Sequence, residues 1–450
     1  MATQMKRELP TEAKLKIIIV GAGLGGAGAA ISCLLKGHSV HILESASEIG
    51  EIGAGIQVLP NSSKVLKYWG LEHSLLTHAS HPKAANLINW KGIPLSSLDF
   101  GSSTAKYPGT CYWDFHRADL HRVLIERAVE LGASMECNAR VVDVKCKEEG
   151  ATVLLADGRE MEADLVVGAD GIHSRMREVL VQRKQPPKRT GDLAYRLLLD
   201  AEKLKEDPEL APFVLNKEVN YWIGPGAHVV TYMLRDSSLC NMVLLVPDDM
   251  PEDGPSTIAG NVEEMRSLFT GWDPRITKLL ALCENVQRWR LCIVEPLETW
   301  YHPSGSFVLL GDSVHATLPY LASGAGMSFE DAAVLGECLG KVKSKSVDEK
   351  IFALKVYQAC RKERTEMIVE RGNVQQVLYH LDDGDEQVER DRKIRANGAA
   401  QTDADMEEGE ALVWRDPVLA PKLLGYDHLQ DVEKHWNSLA RGRSVAGSKL

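Results

Sequence analysis

Short apolar runs that stop at glycine mark the first part of the chain. Ile17-Ile18-Ile19-Val20 is an unbroken β-branched run, the pattern of a central parallel strand buried on both faces. It ends at Gly21-Ala22-Gly23-Leu24-Gly25-Gly26, and small residues continue to Ala30, so a helix is expected to lie close to the strand. Ser39 to Leu43 reads as a second strand that closes on Glu44. The same design recurs twice: Leu165 to Val167 leads to Asp170-Gly171, and Ser306 to Leu310 leads to Gly311-Asp312. Helical patterns are expected over 118–130, from near Gly326, and over 348–372.

Residues 181–294 change period. "AYRLLLDAE", "VNYWIG", "HVVTYMLR" and "CNMVLLVPDD" suggest antiparallel strands. "VEEMRSLFTGWDPRITKLLALC" suggests two helices joined at Gly271–Pro274. Beyond them, "EQVERDRKIRANGAAQTDADMEEGE" is charged and poor in apolar residues, which reads as an exposed or mobile loop.

Composition narrows the partners. The formal net charge of -11 argues against nucleic acid, because phosphate binding needs a basic footprint. No apolar run approaches the length of a membrane span, and "MATQMKRELPTEAK" lacks the apolar core of a secretory signal. Nine cysteines without a C-x-x-C pair imply free thiols and no metal site. The terminal Ser448-Lys449-Leu450 is the form of a peroxisomal address, so a peroxisomal import receptor is an expected partner.

The glycine runs carry chemistry. Gly21, Gly23 and Gly26 have the spacing G-x-G-x-x-G. Such a loop permits a tight turn, lets backbone approach a pyrophosphate, and packs a helix against its strand, while the helix N-terminus attracts negative charge. Glu44 is placed to accept from ribose hydroxyls. This fingerprint does not separate NAD from FAD. The second segment does: Asp312 can bond a ribitol or ribose hydroxyl, Gly324 and Ala325 lie in a small-residue stretch that exposes backbone N–H groups, and Pro319 stiffens the chain beside them. One nucleotide half cannot occupy both stretches, whereas a long ligand with adenosine at Glu44 and an isoalloxazine at the second stretch can. That ligand is FAD.

"GDSVHATLPYLASGAGMSFEDA" resembles the G-D motif of the group A flavoprotein monooxygenases, the FAD-dependent aromatic hydroxylases, in their salicylate hydroxylase-like branch. Ser313 and Val314 stand for two alanines of that motif, and Ser323 for its glutamine. "DLVVGADGIHSRMR" is similar to the family's D-G motif, with Asp170, Ser174 and Arg177. Arg117 in "WDFHRADLHRVL" matches the arginine that reaches FAD phosphate or ribityl oxygens. "EIGAGIQVLP" resembles the segment along the isoalloxazine, with Gly53 and Gly55 letting backbone approach the ring.

The resemblance implies an α/β fold. A Rossmann-type FAD-binding domain would form from 13–80, 101–180 and 295–373, with an inserted mixed-sheet substrate domain from 81–100 and 181–294 and a helical C-terminal region over 374–450. It implies hydroxylation of a small phenolic or related aromatic substrate with NADH or NADPH and O₂, through a flavin C4a-hydroperoxide. Phenols are attacked most readily as phenolates, so a cation or donor at the phenol oxygen is useful. Fungal hydroxylases of polyketide phenols pair an Arg with a Tyr for this, and Arg196 and Tyr232 match those positions, with Tyr221 as a rival. His315 is a further acid/base candidate, and Trp113, Trp222 and Trp300 are candidate pocket or core residues. The rival readings are an FAD-dependent epoxidase or indole oxidase and a non-catalytic FAD-binding redox sensor.

Overall fold

The structure is a computed structural model describing residues 11–50 and 54–447. Its apolar runs converge on a five-stranded parallel sheet. In spatial order the strands are Phe307–Leu309, Leu165–Gly168, Lys16–Val20, Ser39–Leu43 and Ser134–Glu136. Ile18 lies opposite Val166 on one side and His41 on the other, and Val167 lies opposite Val308. Ile17, Ile18, Ile19, Val166, Phe307 and Val308 are all fully buried, as strands covered on both faces must be.

The helix Leu24–Leu35 follows the first glycine loop and Gly324–Gly340 follows the last. They pack backbone to backbone. A methyl at Gly336 would fall 2.5 Å from Ser32 Cβ and 2.9 Å from its carbonyl carbon. The small residues expected to bring helix and strand together therefore also bring these two helices together.

The second layer is an eight-stranded mixed sheet. Its order is Thr257–Ala259, Gln287–Ile293, Lys188–Asp200, Leu239–Pro247, Ala227–Leu234, Val219–Gly224, Ala84–Asn89 and Pro94–Asp99. Only the pairing of Val219–Gly224 with Ala84–Asn89 is parallel among them. The period of two divides its faces. Tyr195, Leu197 and Leu199 join Val229, Met233, Met242 and Leu244 in a core beneath the helices Val262–Ser267 and Pro274–Ala281. Each such side chain contributes about 1.5–3 kcal/mol on burial. The opposite face looks toward the parallel-sheet half.

The helix Val347–Tyr379 joins the halves: Phe352, Leu354 and Tyr357 sit in the core around the parallel sheet, and Ile368 and Tyr379 in the one beside the mixed sheet. The expected loop over 386–410 is corrected in its first half, where Asp385–Ala399 is a helix. Its buried stripe is Arg390, Asp391, Ile394 and Asn397, with one apolar member. Polar bonds hold it instead. Arg390 Nη1 donates to the Leu378 carbonyl at 2.7 Å, Asn397 Nδ2 donates to Glu410 at 2.9 Å, and Arg415 donates to the Ile394 carbonyl at 3.1 Å. No helix among the described residues is long and apolar enough to cross a membrane. Gly53 and Ser448–Leu450 lie outside the described residues.

Candidate active site

Two helix N-termini form the floor of one cavity. Gly23 is the N-cap of Leu24–Leu35, and no side chain caps that helix. Ser323 is the N-cap of Gly324–Gly340, but its hydroxyl donates to the Leu321 carbonyl at 2.8 Å and leaves the helix uncapped. The first-turn N–H groups of both helices are thus left for a ligand. Gly23, Gly324 and Ala325 line the cavity, and a Cβ at Gly23 would meet nothing within 4 Å.

Gly21 and Gly26 shape this floor from behind. Gly21 has φ +103° and packs so closely that a Cβ would lie 2.5 Å from the Ala169 carbonyl oxygen. Gly26 sits over the Gly21 carbonyl. Glu44 does not line the cavity; its carboxylate accepts from the N–H groups of Ala22 and Ala46, each at 2.8 Å. Burial opposes its charge, but these hydrogen bonds outweigh burial and hold the carboxyl below its ordinary value.

Asp312 and Arg117 meet at the cavity wall. Asp312 begins a short helical turn after Gly311 and is exposed to the cavity. Arg117 is the first residue of the helix Arg117–Glu130. Burial pushes its pKa down, the Asp312 carboxylate pulls it back up, and the nearby Arg196 lowers it. Asp170 turns away. Its carboxylate accepts from Ser174 Oγ at 2.5 Å and from the Met176 N–H at 2.9 Å, so it fastens a helix start, and Gly171 beside it lines the cavity.

The mixed sheet supplies the roof, in transverse rows. Arg196 lies opposite Val243, Val243 opposite Val230, and Val230 opposite Tyr221. His228, Val230 and Tyr232 alternate along one strand and all line the cavity, as do Leu245 and Tyr320. Gly55 ties roof to floor. Its N–H donates to Asn241 Oδ1 at 2.8 Å, and a Cβ there would collide with the Tyr232 ring.

Arg196, Tyr221 and Tyr232 differ in what they have left to offer. Tyr221 donates to Gln57 Oε1 at 3.1 Å, and Gln57 also bonds the buried Asp114 carboxyl. Tyr232 has no hydrogen-bond partner among the described residues, and burial pushes its pKa up. Arg196 stacks over Trp289 at 5.2 Å, its Nε is buried without a partner, and no carboxylate pairs with it among the described residues. Burial therefore presses its pKa down, with Tyr232 opposing.

The remaining candidates lie elsewhere. His315 does not line the cavity; its Nε2 meets Asp331 Oδ2 at 2.5 Å, and Asp331 also accepts from Arg361 Nε at 2.8 Å. Trp113, Trp222 and Trp300 are core residues, Trp222 donating to Asp273 at 2.8 Å. Sequence reasoning missed His228 and Gln57 as cavity residues. For His228 a signal existed: it shares the strand parity of Tyr232.

A model of the FAD binding domain matches residues 14–372. The FAD-dependent monooxygenase OpS4 of Beauveria bassiana is 40% identical over 418 residues, covering 92% of this chain and 95% of the relative. The chain belongs to the FAD-dependent aromatic hydroxylases. A second relative in this family is the 6-hydroxynicotinate 3-monooxygenase of Pseudomonas fluorescens, 35% identical over 78% of this chain and 89% of its own. The salicylate hydroxylase substrate complex shares the fold with a TM-score of 0.77, 23% identity, and coverage of 94% of this chain and 98% of the other.

The cavity suits the FAD of this family. Uncapped amides at Leu24 and Gly25 fit a pyrophosphate, and those at Gly324 and Ala325 fit an electron-rich flavin edge. Asp312 and Arg117 offer an acceptor and donors between them. Glu44 keeps lone pairs for ribose hydroxyls after its two backbone bonds.

Proposed function

We propose that this monooxygenase hydroxylates a phenol, or a related aromatic ring with an ionisable oxygen, using NADH or NADPH and O₂. The observation that carries the reading is Arg196: a cation on the cavity wall with a buried, unpartnered Nε and no carboxylate paired with it among the described residues. Such a group stabilises an anionic oxygen in a site that excludes water. Reduced FAD with O₂ supplies an electrophilic oxygen atom, which demands an electron-rich ring carbon.

The side chains would prepare that carbon. Arg196 favours the phenolate over the phenol, and the phenolate charge spreads to the ortho and para positions. Tyr232 adds a neutral donor to the same oxygen. Val230, Val243 and Leu245 offer an apolar surface to the ring. The name of the 6-hydroxynicotinate relative, an enzyme for a ring bearing an ionisable oxygen, supports this substrate class.

The test is a screen of phenolic acids and polyketide phenols for stimulated NAD(P)H oxidation, with mass analysis of products. Phenols that gain one oxygen atom are the expected result. Epoxidation of substrates without a hydroxyl group, with phenols inert, would overturn the reading. We also propose peroxisomal import on the strength of the tripeptide Ser448-Lys449-Leu450 alone. A fluorescent fusion should reach peroxisomes and lose that location when the tripeptide is removed; import surviving its removal would sink the idea.

A further inference from the structure

Nine free thiols are spread through the fold, and one of them faces two further metal-binding side chains. Cys360 is buried on the helix Val347–Tyr379, one position before Arg361. Asp431 and His435 face it from the last helix, His428–Gly447. A spacing of four puts both on one side of that helix. The Cys360 sulfur, an Asp431 carboxylate oxygen and a His435 ring nitrogen all lie within 4.8 Å of one another, the one such trio among the described residues.

Asp431 is the centre of the group. It receives the Cys360 thiol, and its Oδ2 accepts from the Tyr426 hydroxyl at 2.9 Å. His435 Nδ1 lies 3.1 Å from Asp431 Oδ1 and 3.0 Å from the Asp431 carbonyl. The charges of Arg361 and Lys434 reach the thiol, but among the described residues no lysine or arginine pairs with Asp431. Arg361 is engaged by Glu330 and Asp331 instead. Hydrogen bonding alone makes poor use of such a group, because a thiol is a weak donor. Sulfur, imidazole nitrogen and carboxylate oxygen are the donors that zinc takes, at about 2.0–2.3 Å in a tetrahedron. An ion so held spaces its donors about 3.3–3.8 Å apart, which small side-chain rotations reach from here. Tyr426 steadies the carboxylate from behind, as the partners of metal ligands do, and its ring is stacked by Arg361 and Arg364 at 5.0 and 4.2 Å. The side chains of Asp431 and His435 are 19% and 28% exposed, so an ion has an entry path and water can fill its fourth position.

We propose that Cys360, Asp431 and His435 form a zinc site that pins the last helix to the helix Val347–Tyr379. On binding, the Cys360 S–H bond breaks, its electron pair goes to the metal and its proton leaves to solvent, with nothing oxidised or reduced. The site is structural, since none of the three side chains lines the cavity. It braces the helix whose Arg361 holds Glu330 and Asp331 beneath the cavity floor. Cysteine spacing could not reveal it, because its ligands come from two helices far apart in the chain.

The experiment uses the FAD-loaded full chain, free of affinity tags, stripped with chelator and kept under a phosphine reductant. The reductant matters because buried Cys338 lies near enough to Cys360 for their charges to interact. Titration with Co²⁺ should load about one equivalent with a thiolate-to-cobalt charge-transfer band, and Zn²⁺ should displace it. Zn²⁺ at a hundred times its Kd should raise Tm by about 3 °C. Cys360→Ser should abolish the band. His435→Ala should weaken Co²⁺ binding by more than about a hundredfold, beyond the loss caused by removing an outer partner. Both variants should keep FAD and hydroxylation. His435 is partly exposed, so its variant carries the test even where Cys360→Ser fails to fold. Cobalt bound without the charge-transfer band, a band that survives Cys360→Ser, or unchanged affinity in His435→Ala would overturn the site.

Discussion

Two arginines, one below the cavity floor and one in the roof, have opposite surroundings. Arg361 is fully enclosed between Glu330, at 2.7 Å, and Asp331, at 2.8 Å, and it stacks on Tyr426 at 5.0 Å. Arg364 and Asn61 complete the set by bonding Glu330 at 2.7 Å each. Arg196, in the roof, has an aromatic face and, among the described residues, no carboxylate. The same side chain therefore does two jobs. Below the floor its charge is spent holding the loop 311–315 and the helices Gly324–Gly340 and Val347–Tyr379 together, since Asp331 also receives the Gly311 N–H and His315. In the roof it is held unspent, at a cost in desolvation, facing the space where substrate goes.

Breaking the floor network should have the largest effect, and it should fall on stability. Arg361→Met takes one charged partner from each of two buried carboxylates, and the loss should be about 3–5 kcal/mol. Chemical denaturation followed by circular dichroism measures it. The acid limb should move as well. Burial by itself would raise the Asp331 carboxyl, but His315 and Arg361 outweigh burial and hold it at about 2, down from 3.8. A depressed carboxylate contributes stability that is present above 3.8 and is lost as pH falls toward 2. Arg361→Met should shift acid unfolding to higher pH. An unchanged acid midpoint would mean that Asp331 does not depend on Arg361.

Arg196→Ala should do the reverse. It removes an unspent charge, so folding and FAD content should hold. Product formation should fall by about two to three orders of magnitude, equivalent to about 2–4 kcal/mol of lost transition-state stabilisation. Product formed per NAD(P)H consumed is the decisive quantity. Wild-type product rates in Arg196→Ala would move the phenolate clamp elsewhere.

The difference between the regions also explains what the sequence could tell. Backbone-built parts were legible, because glycine spacing and β-branched runs report backbone geometry directly. Ile17–Val20, the Gly21 turn and the strand ending before Asp312 all stand where the pattern puts them. Side-chain-built parts were less legible. His315 sits beside Asp312 in sequence, yet its partner Asp331 lies sixteen residues on and Arg361 lies on another helix. The helix Asp385–Ala399 was hidden because its buried stripe is polar, so apolar periodicity had nothing to detect. His380 touches His228 across 152 positions, a pairing that only the packing of Val347–Tyr379 on the mixed sheet creates.

Intermediate effects are expected at the cofactor end. Asp312→Ala and Glu44→Ala should each weaken FAD retention by about 1.5–3 kcal/mol, as lost hydrogen bonds from charged groups do. The two should differ in a way that sharpens the comparison. Asp312 is exposed to the cavity and supports Arg117 through its charge, so its loss should cost the apoprotein less than the loss of Glu44 does. Glu44 already holds the Ala22 and Ala46 amides, so its loss should also lower apoprotein stability. Equilibrium dialysis of FAD and thermal unfolding of the apoprotein separate the outcomes. Tight FAD retention in both variants would remove these carboxylates from the cofactor site.

The smallest effects, and the finest test, come from the two roof tyrosines. Both line the cavity and both are buried, so loss of a hydroxyl changes neither shape nor packing to a first approximation. What differs is the commitment of that hydroxyl. Tyr221 spends it on Gln57 at 3.1 Å, and Gln57 in turn bonds the buried Asp114. Tyr221→Phe leaves the Gln57 oxygen short of a donor and should lower stability by about 1 kcal/mol with little change in hydroxylation rate. Tyr232 has no protein partner for its hydroxyl among the described residues. Tyr232→Phe should leave stability unchanged and slow hydroxylation by about tenfold, less than Arg196→Ala because a neutral donor does less for an anion than a guanidinium does. Denaturation midpoints and single-turnover rates on both variants give a two-by-two result. If Tyr221→Phe costs rate and Tyr232→Phe costs stability, the roles of the two hydroxyls are exchanged, and the phenol oxygen belongs beside Tyr221.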